Sequence, residues 1–106
     1  MTVTPIKTRK ITKKDKDLSA ILDKYLPHLQ EKSIVAITSK IVSITESRIV
    51  KIDNVDKDEL IEKEAQYFLP RSENKYRVSL TITRDTLFAT AGIDESNGNG
   101  YYILWP

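Results

Sequence analysis

The sequence predicts an α/β (α+β) fold, a single compact domain with a mixed sheet and two main helices. Three observations carry this. Leu18, Ile21, Leu22, Tyr25, Leu26 and Leu29 recur at the spacing of one helical face. Ile34-Val35-Ala36-Ile37 is apolar at consecutive positions, as a strand buried on both faces would be. Tyr76, Val78, Leu80 and Ile82 alternate strictly with Arg77, Ser79, Thr81 and Thr83, the pattern of a strand with one buried face. A chain of 106 residues has room for one core and not two, so residues 1–106 are read as one domain.

The elements follow in order. Thr2 to Thr12 alternates loosely through Val3, Ile6 and Ile11, and Pro5 suits an edge strand. Asp15 or Asp17 caps the first helix, and Pro27 kinks it or ends its regular part. After the buried strand, Ile41 to Thr45 fits either a short helix or more strand. Arg48 to Ile52 reads as strand. Asp56 and Glu59 have capping-box spacing for a second helix, whose apolar face is Leu60, Ile61, Ala65, Phe68 and Leu69 and which Pro70 stops. The alternating strand then turns at Arg84-Asp85 into a hairpin partner, Thr86 to Ala91. A last strand spans the apolar run from Tyr101 to Trp105. The chain ends at Trp105-Pro106 without a polar tail, the expected look of a fragment or of a domain whose final strand is covered by something else.

Composition excludes several classes. With no cysteine, disulfides and thiolate metal sites are absent, and a reducing compartment is the simplest home. The one histidine, His28, rules out a histidine metal cluster. No apolar run is long enough for a membrane span, and the first residues lack a signal peptide's apolar core. The protein is therefore read as cytoplasmic. A net charge of +2 does not imply nucleic acid, although Lys7, Arg9, Lys10, Lys13, Lys14 and Lys16 gather before the first helix. Without interleaved aromatics that arm reads as a solvated edge.

Two stretches carry candidate chemistry. The buried strand runs into Thr38-Ser39-Lys40, which sets a hydroxyl, backbone N–H groups and an ammonium where a phosphate would fit. The ordinary alternative is a simple cap at a strand end. From Phe88 to Pro106, small residues lead into Asp94-Glu95-Ser96-Asn97, then two Asn-Gly pairs, then the apolar run. Asn and Gly accept positive φ, so this is a polar turn between two strands. Such a loop, taken alone, is ordinarily a surface turn with no ligand; it is also a common way to present side chains to one.

Thr38-Ser39-Lys40-Ile41-Val42-Ser43, Glu46-x-Arg48 and Ala91-Gly92-Ile93-Asp94-x-Ser96-Asn97 together resemble the coenzyme F-420:L-glutamate (γ-glutamyl) ligase family. Ile6 to Lys10 and Leu69-Pro70-Arg71-Ser72 resemble a bacterial branch of it. The resemblance covers essentially the whole chain, but only the N-terminal part of the family's usual length. It implies a GTP-dependent amide ligase, unrelated to ATP-grasp enzymes. A carboxylate is activated as an acyl phosphate and attacked by the glutamate amine, with magnesium or manganese on the phosphates and an intertwined homodimer as the assembly. Ser39 and Lys40 match the family's nucleotide-contacting pair. Gly92, Asp94, Ser96 and Asn97 match its active-site loop. The implied metal-binding carboxylates belong to the following part of the family's chain, so no residue here inherits them.

The sequence also departs from the family. Ile44 stands where the family has a nucleotide-contacting lysine, and Ser47 where it has glycine. The family's Gly-Leu-Pro-Leu stretch appears as Thr8-Arg9-Lys10-Ile11, and Arg9 or Lys10 is available to replace the lost lysine's charge. Two readings result. One is the N-terminal portion of a ligase, catalytic only with a downstream metal-binding half, whose partners are a nucleotide, a small carboxylate and glutamate. The other is a non-catalytic domain that keeps the fold for binding or dimerisation, with Tyr101, Ile103 and Trp105 at the interface. Coding sequence after Pro106 with Asp-rich motifs favours the first, and a native stop codon favours the second.

Overall fold

A computed structural model describes residues 1–95 and 98–106, in which three helices and two small antiparallel sheets form a mixed α+β domain. The helices are α1 (Leu18–Tyr25), α2 (Ser39–Thr45) and α3 (Lys57–Glu64). One sheet pairs β1 (Ile49–Lys51) with β5 (Tyr101–Ile103). The other runs β2 (Tyr67–Leu69), β3 (Leu80–Thr83), β4 (Thr86–Ala89). The class expected from sequence holds, with the strands divided between two sheets.

The N-terminal third differs most from its sequence pattern. Residues 1–10 are exposed and form no ladder. Residues 33–37 also lie outside any strand, and Ile34 is 91% exposed. Among the described residues, no strand pairs with these segments, and much of their apolar content lies at the surface. The Cα radius of gyration, 16.5 Å, exceeds the roughly 13 Å of a fully compacted chain of this length accordingly. The N-terminal basic segment is braced within itself by one ion pair and held to the domain by two lysines. The Arg9 guanidinium donates to Asp15 at 2.5 and 3.1 Å. That bond, helped by the Thr12 N–H, holds the Asp15 carboxyl well below the usual carboxylate range. The Lys13 ammonium donates to the Tyr101 hydroxyl at 2.7 Å, which lowers the phenol's pKa. Lys16 donates to Ser47 Oγ at 2.5 Å.

Caps decide where the helices stop. The Asp17 carboxylate accepts from the Ala20 N–H and starts α1. Leu26 precedes Pro27 and is extended (ψ 132°), so α1 ends at Tyr25 and buries only Ile21 of its predicted apolar face. Residues Ile41 to Thr45 are helical, not strand. α2 closes in a Schellman motif: Ser47 N–H donates to Ile44 O (3.1 Å) and Arg48 N–H to Ser43 O (2.8 Å), with Ser47 left-handed at φ 61°. The glycine that the resemblance implies at position 47 therefore has a backbone explanation, because glycine takes this conformation without strain. Ser47→Gly is expected to raise stability by about 1 kcal/mol, read as a higher melting temperature. An unchanged or lower melting temperature contradicts that account.

Asp56 caps α3 by accepting from the Asp58 and Glu59 N–H groups at 2.9 and 3.1 Å. The sequence placed Phe68 and Leu69 on this helix; they lie on β2 instead. The chain turns extended at Ala65, and the Gln66 N–H donates to Ile82 O at 2.7 Å, so pairing with β3 replaces a further helical turn. Leu60 and Ile61 of α3 then meet Ala91, Ile93, Tyr102 and Leu104, with Val50, Ile52, Val55 and Phe68 packed around them. Ile103 is also buried, 4% exposed. Of the three residues expected at an interface, Ile103 thus belongs to the core, while Tyr101 and Trp105 are only half-buried.

β3 faces the opposite way from its pattern. Ser79, Thr81 and Thr83 are buried, while Leu80 and Ile82 are 40% and 37% exposed. The Thr81 hydroxyl explains the choice. It donates to Phe88 O at 2.9 Å and accepts from the Ala91 N–H at 2.9 Å, joining the hairpin to the turn that follows β4. The apolar face left outside, Tyr67, Leu69, Leu80, Ile82 and Leu87, lines a shallow groove of about 230 Å³. Arg84 and Asp85 make the two-residue hairpin turn with φ 48° and 59°, as a type I′ geometry demands.

Candidate functional site

The site is built around an unusual turn. After β4, Thr90, Ala91 and Gly92 all take positive φ: 54°, 51° and 69°. For threonine and alanine that conformation costs about 1–2 kcal/mol each, and such outliers concentrate at functional sites. Hydrogen bonds hold it in place: Thr90 N–H to Ser79 O (2.8 Å), Ala91 N–H to Thr81 Oγ1 (2.9 Å) and Ile93 N–H to Thr90 O (2.9 Å). Ala91 is 1% exposed, so its small side chain lets the turn sit in the core. A Cβ at Gly92 would lie 3.4 Å from Trp105 Cβ, and glycine also removes the strain of φ 69°.

Past the turn, Asp94 is fixed by a backbone bridge to Ile103, with N···O distances of 2.9 and 2.8 Å. Its carboxylate then reaches α2, where Asp94 Oδ2 lies 2.5 Å from Lys40 Nζ. The next residue, Glu95, is tied to α3 through Lys57 at 2.7 Å. The loop is therefore anchored from both sides by opposite charges. At its far end a Cβ on Gly98 would fall 1.8 Å from Tyr101 O, so only glycine fits there. Asn99 and Gly100 take positive φ (49° and 84°), as their turn chemistry led one to expect.

A cleft of about 140 Å³ lies between α2 and this turn. Ser39, Lys40, Gly92 and Asp94, singled out by the sequence, all line it. Ser96 and Asn97 lie outside the described residues. Sequence reasoning missed Ser43, Phe88 and Trp105, which line it together with Thr38, Ile103 and Leu104. Ser43 Oγ donates to Leu104 O at 2.6 Å, fixing α2 to the C-terminal segment. The Phe88 and Trp105 rings meet at 4.6 Å. Arg48 donates to Trp105 O from Nε and Nη2 (3.1 and 3.0 Å) and to Glu64 at 2.5 Å. The hints in the sequence were the motif that ends at Ser43, the Glu46-x-Arg48 motif and the aromatic run that ends at Trp105. Of the two residues proposed to replace the family lysine, Arg9 spends its guanidinium on Asp15.

A family model described as F420-0:Gamma-glutamyl ligase matches residues 5–106. The chain belongs to the F420-0:gamma-glutamyl ligase family. No curated protein and no solved structure matches it. Within this ligase-family domain, the cleft is lined by Ser39 and by Lys40, whose ammonium is paired with Asp94. Its volume is below the several hundred Å³ of pockets that enclose a whole ligand, so it fits a phosphate-sized group and not an entire nucleotide. The implied metal does not fit: among the described residues, no three His, Cys, Asp or Glu side chains converge to hold one. Also among the described residues, no helix is long and apolar enough to cross a membrane.

Proposed function

We propose that this chain supplies the phosphate-facing corner of a GTP-using, amide-forming ligase. In that reaction a small carboxylate is activated as an acyl phosphate and glutamate supplies the attacking amine. Ser39 and Lys40 contact phosphate oxygens, and the Thr90–Gly92 turn with Asp94 forms the facing wall. Phosphoryl transfer depends on positioning and cationic stabilisation more than on a protein nucleophile, so such a corner needs a held cation. The observation that carries the reading is the Lys40–Asp94 pair, which joins the two family motifs across one cleft.

Trp105, the one tryptophan, lines the cleft and reports on it. Titrating the chain with GTP is expected to change Trp105 emission saturably, whereas guanosine, lacking phosphate, leaves it unchanged. Equal responses to both, or none to GTP, remove the reading.

The second reading, a binding or homodimerising domain, draws support from the outward apolar face of β2, β3 and β4. An exposed sheet face of that kind invites a partner surface. Light scattering is expected to give twice the monomer mass; a monomer at high concentration argues against it.

A further inference from the structure

We infer that Asp94 is an internal competitor for Lys40, so that an anion reaches the ammonium only by displacing a carboxylate and binds more weakly than the bare cation would allow. This rests on the proposed phosphate-binding role of Lys40. The Asp94 carboxylate stands 2.5 Å from the Lys40 ammonium, on the cleft wall that an incoming phosphate would face. Any anion that takes the ammonium must displace this carboxylate and then sit beside its negative charge. A single charge gains little from that exchange, because it only replaces one ion pair by another. A polyphosphate gains more, since additional oxygens reach Ser39 while one oxygen takes the ammonium.

The geometry permits the exchange at the side-chain level. The Asp94 backbone is held by its two hydrogen bonds to Ile103, while its side chain is 30% exposed and that of Lys40 is 35% exposed. Partly exposed ion pairs of this kind contribute little to folding stability. Glu95 stays on Lys57 during the exchange and keeps the loop in position.

The test is calorimetric titration of the 106-residue chain with inorganic tripolyphosphate and, separately, with chloride. Four proteins are compared: the wild type, Asp94→Asn, Asp94→Glu and Lys40→Met, each first shown to melt cooperatively. Asp94→Asn is expected to bind tripolyphosphate about tenfold more tightly than the wild type, with chloride the weaker ligand in both. Asp94→Glu, which restores the carboxylate, is expected to return the affinity towards wild type. Lys40→Met is expected to bind more weakly. A residue that merely supports the loop would weaken binding on either substitution, so tighter binding is the distinguishing result. Wild-type binding that Asp94→Asn leaves equal or weaker overturns the competition and leaves the phosphate reading intact. If neither wild type nor Asp94→Asn binds, both fall together.

Discussion

Replacing Ile61 by alanine is expected to remove about 2–5 kcal/mol of folding stability, the range for emptying a well-packed isoleucine site. Ile61 is 1% exposed and sits where α3 meets Ala91, Ile93, Tyr102 and Leu104. Alanine would leave a void that these neighbours fill poorly, because Ala91 belongs to a turn already fixed by hydrogen bonds in a left-handed conformation. A domain this small has a total stability of about 5–15 kcal/mol, so the variant should unfold at a much lower urea concentration. Ile61→Val, which loses one methylene group, should cost only about 1 kcal/mol. Equal midpoints for Ile61→Ala and wild type would mean that the core is centred elsewhere.

The second large effect is functional. Lys40→Met keeps an unbranched stem and removes the charge. A hydrogen bond to a charged group is worth about 1.5–3 kcal/mol, so affinity for GTP in the Trp105 titration should fall roughly 10- to 100-fold. The melting temperature should change little, because the ion pair that is lost is partly exposed. Undiminished affinity would move the phosphate away from α2.

The contrast between these two sites shows what the sequence made legible. Local chemistry read correctly wherever short-range contacts decide: the caps at Asp17 and Asp56, the stop before Pro27, the Arg84-Asp85 turn and the positive φ values of Asn99 and Gly100. Ser39, Lys40, Gly92 and Asp94 were also recognisable, through motif resemblance, before their convergence on one cleft was visible. Long-range pairing was not legible. The run at Ile34–Ile37 has the composition of an interior strand, but composition does not supply the neighbouring edge that a strand requires. On β3, alternation marked two faces and favoured burying Leu80 and Ile82. The Thr81 hydroxyl's bonds to Phe88 and Ala91 turn the polar face inward instead, and no periodicity encodes that bond. Phe88 and Trp105 were missed for a related reason: their ring contact closes only after the chain has folded back on itself.

The measurement that bears most directly on the account is a map of where a triphosphate lands. Backbone amide resonances of the chain, followed by NMR during titration with GTP, should shift first and most at Ser39, Lys40, Gly92 and Asp94. The Trp105 indole N–H should move with them. The exposed face of β2, β3 and β4 and the basic segment from Lys7 to Lys16 should remain unchanged. Shifts centred on that basic segment, or on the apolar sheet face, with α2 and the Thr90–Gly92 turn silent, would contradict it.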